Sequence, residues 1–173
     1  MKKDFLLVDG YNIIYAWDDL KELAEISLES ARNKLIDIMS NYQGYKSRLT
    51  VIVVFDGYLV KGNIGKAYQH NNIFVVFTKE AETADHYIEK TVNRFPRECK
   101  IRVATSDGLE QLIILGHGAV RMSARELKVE IEYVNHHVRE MYIQTRPPKN
   151  NLLMDNLDDE TQKILERMRR GEN

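Results

Sequence analysis

The chain has 173 residues and a formal net charge of −1, from 25 Lys and Arg against 26 Asp and Glu. That length suits one domain burying roughly 70% of the surface its unfolded chain exposes, with no covalent staple required. The near-neutral balance excludes a general basic surface as the source of affinity for a phosphate polymer, and the single cysteine, Cys99, excludes an internal disulfide and a multi-cysteine zinc site.

The first predicted element is the apolar run "FLLV", Phe5 to Val8, which ends on "DGYN". Trp17, a little further on, is expected in the core. "SLESARNKLIDIMSNYQGY" places Leu28, Ala31, Leu35, Ile38, Met39 and Tyr42 on one helical face, with Ser27 as its start and Gly44 at its expected end. "LTVIVVF" (Leu49–Phe55) is a second strand, and "IFVVFT" (Ile73–Thr78) a third. Between them, "GYLVKGNIGKAYQHNN" (Gly57–Asn72) holds three glycines and no acid, and reads as a mobile loop.

"TADHYIEKTVNRF" carries an apolar helical stripe through Ala84, Ile88 and Val92 and is stopped by Pro96. Cys99 is expected to be a buried thiol. "IRVAT" (Ile101–Thr105) is a fourth strand, "DGLEQLIILG" a short helix closed by Gly116, and "GAVRM" a fifth, short strand. "SARELKVEIEYVNHHVREMYIQ" is a long helix whose Ser123 and Glu126 have capping-box spacing. "RPPKNN" is a break, and a further helix in the tail follows it. Residues 1–145 are therefore expected to form one domain and 146–173 a C-terminal extension.

Near-continuous β-branched and aromatic runs suit strands covered on both faces. Alternation with helices then predicts an α/β fold: a three-layer α/β/α arrangement around a mostly parallel sheet. No run approaches the roughly 20 apolar residues that cross a bilayer, and no signal-peptide core is visible, so a cytoplasmic protein without membrane contact is expected.

Three acids follow strands: Asp9, Asp56 and Asp107. A fourth, Asp85, opens the helix after the third strand. The C-terminal ends of parallel strands share one rim, where ligands bind. Carboxylates gathered there repel unless protonated or bridged by a cation, and Mg²⁺ or Mn²⁺ prefers oxygen ligands. Metal-assisted phosphodiester or phosphoryl hydrolysis follows from such a set. Each Asp-Gly pair is equally an ordinary turn, and Asp107 an ordinary helix cap. Asn12 suits holding the Asp9 carboxylate or a phosphate oxygen, or else an Asx turn.

"DGYN", "FDG", "TADHYIEK" and "VATSDGLEQ", in this order from about Asp4 to Tyr142, resemble the NYN domain, and more narrowly its bacterial YacP-like branch. The resemblance implies a PIN-like fold and a metal-dependent endoribonuclease. It implies Asp9, Asp85 and Asp107 as catalytic residues and ligands of Mg²⁺ or Mn²⁺, with Asn12 and Asp56 as supporting residues. It further implies RNA as partner, in mRNA turnover, and the ribosome as a possible second partner. For RNA contact the candidates are Tyr58, Lys61, Lys66 and Tyr68 in the loop after Asp56, with Arg121 and Arg125 as a second basic cluster. Two alternatives stand beside this: a non-catalytic RNA- or ribosome-binding module of the same fold, and a small-molecule phosphatase. Tyr11 in place of the second acid of a D-x-D motif weakens the latter.

Overall fold

The structure, a computed structural model, describes residues 4–59, 65–96, 98–107 and 119–145. The short helix expected from Asp107 to Gly116 lies almost wholly outside them. So do Lys61, the break at 146–151 and the C-terminal extension. The chain divides into two compact units, residues 1–135 and 136–173. In the second, the described part is the helical stretch to Thr145, where His136 Nδ1 lies 3.6 Å from Glu140 Oε1.

The first unit is built on six strands: β1 (Asp4–Asp9), β2 (Leu49–Phe55), β3 (Lys66–His70), β4 (Ile73–Phe77), β5 (Lys100–Ala104) and β6 (Val120–Met122). They lie in the order β3-β4-β2-β1-β5-β6, and only the β3–β4 pair is antiparallel. The expected α/β architecture with a mostly parallel sheet is therefore present. The described helices are α1 (Gly10–Ala16), α2 (Asp18–Ile26), α3 (Leu28–Tyr45), α4 (Ala84–Arg94) and α5 (Ala124–Thr145).

Period-two alternation decides which face each strand residue covers. Leu7 of β1, Val54 of β2, Val76 of β4 and Val103 of β5 pack with Ala84, Ile88 and Val92 of α4. Leu6, Val8, Val51, Val53 and Phe55 point to the other side of the sheet and are fully buried. Burial on both faces explains why these strands are apolar without a break. Trp17 is in the core as expected: its indole N–H donates to the Ala124 carbonyl at 2.9 Å. The expected capping box is also present, with Ser123 Oγ accepting from Glu126 N at 3.2 Å and Ser123 N donating to Glu126 Oε2 at 2.7 Å.

Four local expectations need correction. The Gly57–Asn72 stretch is only partly loop, because Lys66–His70 pairs with β4 as an edge strand. The β3–β4 turn is made by Asn71, at φ 51°, and Asn72, whose side chain is tied to Ser40 of α3. Two helices, α1 and α2, fill the region between "DGYN" and Ser27, where no element was expected. Helix α3 runs one residue past Gly44 to Tyr45, since Lys46 N still bonds back to the Gln43 carbonyl. Cys99 is half-buried rather than buried, packed at the margin of the core beside α4.

Gly10 shows why a glycine follows Asp9. It opens α1 without a positive φ, so no turn requires it, yet a Cβ there would overlap the Phe55 ring. The glycine lets β2 close against the start of α1 and fixes the strand tip that carries Asp9.

Candidate active site

The order of the strands reverses around β1. The chain passes from β1 to β2 and β4 on one side, then returns to lay β5 on the other. Ligands of open parallel sheets bind at the carboxyl ends of strands beside such a reversal. Asp9 is the last residue of β1 and points to the α4 face, in alternation with Leu7. It is 2% exposed, the most deeply buried acid described.

Asn12 does what its position promised. Its backbone N–H donates to Asp9 Oδ1 at 3.1 Å and its side-chain amide to Oδ2 at 2.8 Å. Asp9 is thus both the N-cap of α1 and a carboxylate held by two donors. The turn-or-cap reading and the functional reading of this residue are compatible. Ser106 Oγ donates to Asn12 Oδ1 at 2.7 Å, so the loop after β5 grips the far side of the same amide.

Helix α4 starts at the same rim. Asp56, just past β2, accepts from Ala84 N at 2.7 Å, and Thr83 Oγ1 accepts from His86 N at 3.3 Å. These two bonds satisfy amides of the first helical turn and set where Asp85 emerges. Asp85 is exposed and lies near enough to Asp9 for its charge to bear on that carboxylate. Burial pushes the Asp9 pKa up to about 7; the Asn12 bonds oppose that rise and the Asp85 charge adds to it. Burial also raises Asp56, against the pull of the Ala84 amide, and Asp85 raises it further.

Asp107 reaches the same rim from β5. It is half-buried, and its N–H donates to Thr105 Oγ1 at 3.1 Å. Asp85 bears on both Asp9 and Asp56 and so links the acids at the ends of β1 and β2 with the start of α4. Among the described residues, no group of three or more His, Cys, Asp or Glu side chains is placed to hold a metal ion. The Asp9–Asp85 pair nonetheless suits a divalent cation: two neighbouring carboxylates, one of them buried, the charge of the exposed one raising the pKa of the other. Mg²⁺ is commonly held by one or two carboxylates, its other positions filled by water and phosphate.

The basic and aromatic candidates divide. Lys66 and Tyr68 lie on one face of β3, with Lys66 Nζ 5.4 Å from the Tyr68 ring centroid. Tyr58 is 62% exposed in the turn after Asp56. Arg121 on β6 and Arg125 on α5 are exposed, and Arg121 lies near enough to Glu126 to lower its pKa, behind the two Ser123 bonds. Arg32 of α3 was missed. It lies beside Phe77 and donates to the Tyr11 hydroxyl at 3.0 Å, among residues far apart in the sequence.

Among the described residues no helix is long and apolar enough to cross a membrane. The model of the YacP-like NYN domain family matches residues 6–170, reaching beyond Tyr142 into the tail. YacP of Bacillus subtilis (strain 168), described as an uncharacterized protein, is 45% identical over 172 residues, 98% of each chain. The crystal structure of Rae1 (YacP) from Bacillus subtilis superposes with a TM-score of 0.71 at 44% identity, covering 97% of this chain and 95% of that one. A single-residue variant of that protein gives 0.69 at 39% identity, covering 95% and 99%. This chain therefore belongs to the YacP-like NYN domain family.

Proposed function

We propose that this protein is a metal-dependent endoribonuclease that hydrolyses RNA phosphodiester bonds. The observation that carries the proposal is Asp9: a buried carboxylate held by two donors from Asn12, its pKa raised by burial and further by the neighbouring Asp85. A fold that only needed a cap at this strand end would not gather a second acid against the first. Membership of a family with a nuclease-type fold supports the same reading.

In this proposal Asp9 and Asp85 hold Mg²⁺ or Mn²⁺, with Asp107 joining from the β5 side of the rim. Such a cation, when bound, supplies a polarised water and charge for the leaving oxygen. Asn12 keeps the Asp9 carboxylate aimed into the cleft. Asp56 acts on Asp85 through the start of α4 and is a positioning residue. Hydrolysis adds water across the phosphorus–oxygen bond, leaving one phosphate end and one hydroxyl end. Lys66, Tyr58 and Tyr68 are proposed RNA contacts, with Lys61 of the same stretch of sequence, and Arg121 and Arg125 a second cluster near the β5 end.

A net charge of −1 leaves little non-specific attraction for RNA. It suits an enzyme to which a large partner presents the substrate. On that ground mRNA on the ribosome, in the cytoplasm, is the proposed setting, with residues 146–173 as an extension to the nuclease domain. A non-catalytic RNA-binding module is the second reading, favoured by the lack of a three-acid cluster among the described residues.

One experiment separates them. RNA cleavage is measured with Mg²⁺, Mn²⁺ or EDTA, with and without translating ribosomes, for wild type, Asp85→Asn and Asp9→Ala. Metal-dependent cutting lost by more than about 100-fold in both variants, beyond the usual effect of an outer-shell partner, supports the enzyme. Retained RNA binding without cutting by wild type supports the module. Equal cutting of naked and ribosome-bound RNA removes the ribosome from the proposal.

A further inference from the structure

A row of aromatic rings runs outward from the candidate active site along the α3 side of the sheet. Tyr11 meets Phe55 edge-on at 5.2 Å between centroids. Phe55 stacks on Phe77 at 5.4 Å and 23°, and Phe77 on Tyr68 at 6.4 Å and 15°. Tyr11 and Phe55 are buried, whereas Phe77 and Tyr68 are half-buried and open to solvent on one side. The row therefore begins under the rim and surfaces on the edge strand β3.

Two cations accompany it. Arg32 spans the middle: one guanidinium N–H bonds the Tyr11 hydroxyl at 3.0 Å, and its carbon lies 5.9 Å from the Phe77 centroid. Lys66 covers the outer end, above Tyr68. Arg32 is half-buried, and among the described residues no carboxylate forms an ion pair with it. Its charge is thus held in place by a phenol and a ring face but not neutralised. Such a group retains donors for a phosphate, and its plane can stack a base. The inner end of the row is near the acids, since the Asp56 charge bears on Tyr11.

Parallel aromatic faces spaced along a surface, flanked by unneutralised cations, are the means by which proteins hold unpaired bases. A duplex cannot use them, because its bases are already stacked and its rings turned inward. We infer that Arg32, Phe77, Tyr68 and Lys66 form a platform that binds single-stranded RNA beside the cleft, with Tyr68 stacking a base and Arg32 gripping an adjacent phosphate. The inference rests on the nuclease reading for its substrate and adds two things: a requirement for unpaired RNA, and Arg32 as a binding residue.

The test is fluorescence anisotropy of a labelled RNA of about 12 nucleotides, alone and as a duplex, in EDTA so that cutting does not intervene. Wild type is compared with Tyr68→Ala, Tyr68→Phe, Arg32→Ala and Arg32→Lys, each checked by thermal melting. Tyr68→Ala and Arg32→Ala should weaken single-strand binding roughly 5- to 100-fold, the range for losing one stacked base. Tyr68→Phe should stay within about twofold, since the ring face remains. Arg32→Lys should recover only part of the loss, because the planar fork is gone. In cleavage assays KM rises while kcat holds.

Should Arg32→Ala fail to fold, Tyr68→Ala on the edge strand decides. The platform is overturned if folded Tyr68→Ala binds the single strand like wild type, if the duplex binds equally well, or if wild type binds neither. The nuclease reading fails separately. It is lost if wild type never cuts while the platform variants still lose binding, and it survives if cutting depends on Asp85 but is indifferent to Tyr68.

Discussion

At the amino ends of β1 and β2, the Glu130 carboxylate accepts from Tyr42 Oη at 2.5 Å, Lys46 Nζ at 3.1 Å and Arg102 Nη1 at 2.9 Å. At the carboxyl end of β1, Asp9 has two neutral donors and a second acid. Burial raises the pKa of both, but around Glu130 the Tyr42 and Lys46 bonds and the Arg102 charge outweigh it and hold the group below its ordinary value. Around Asp9 they do not, and the pKa climbs to about 7. One rim has matched its charge within the chain. The other sets a second acid beside the first, and among the described residues no cation is paired with Asp9. The difference separates an acid that holds the fold together from one positioned for chemistry.

If that contrast is sound, removing the two kinds of acid should move stability in opposite directions. Glu130→Ala leaves Arg102, Tyr42 and Lys46 without their common acceptor. A loss of about 2–3 kcal/mol is expected, less than for a fully buried pair because water still reaches the site. Asp85→Asn removes the charge that presses on Asp9 and offers it an amide donor. Without added metal it should be neutral or more stable by up to about 1 kcal/mol. Urea denaturation in EDTA measures both. Adding Mg²⁺ should then stabilise wild type by mass action and leave Asp85→Asn unmoved. A destabilised Asp85→Asn would break the contrast.

A smaller effect tests how the acidic rim is assembled. Asp56→Ala deletes the acceptor of the Ala84 amide, so α4 loses part of its cap. The expected cost is about 1 kcal/mol by urea midpoint. If Asp56 acts only through Asp85, RNA cleavage should fall in kcat with KM unchanged. Asp56→Asn, which keeps an acceptor oxygen, should recover most of both. A KM effect alone would make Asp56 a substrate contact instead.

The contrast itself was only half legible in the sequence. Apolar runs ending in acids predicted the strands and their common rim, because continuous burial and strand polarity are local properties. Asp9 with Asn12, three residues apart, was readable for the same reason. The adjoining of Asp85 to Asp9 was an expectation of topology, since no local pattern links residues so far apart. Helices α1 and α2 escaped because they are short, at 7 and 9 residues, and Gly10, a poor helix former, opens the first where the Phe55 ring demands it. Strand β3 escaped because "KAYQH" is solvent-facing at the sheet edge and so lacks the apolar signature of its neighbours. Arg32 and the Glu130 cluster are assembled from α1, α3, β4, β5 and α5, and single-sequence periodicity carries no record of such pairings.

The smallest effect sharpens the other side of the comparison. The folded pKa of Glu130 lies below its ordinary value, 4.5. A depressed carboxylate stabilises the fold wherever it is ionised in both states, hence above the unfolded pKa. The contribution is then lost as pH falls from there through the folded pKa, because the unfolded chain takes up the proton first. Glu130→Gln lacks that proton site and keeps its shape. The stability gap between wild type and Glu130→Gln should therefore be flat from pH 7 to about 5 and shrink at lower pH. Asp9 titrates in both proteins alike, so its opposite response, with stability lost as pH rises toward 7, cancels in the difference. Urea midpoints at half-unit steps read the gap. A gap that widens on acidification would mean that Glu130 is not satisfied by Tyr42, Lys46 and Arg102, and the two rims would then differ in degree rather than in kind.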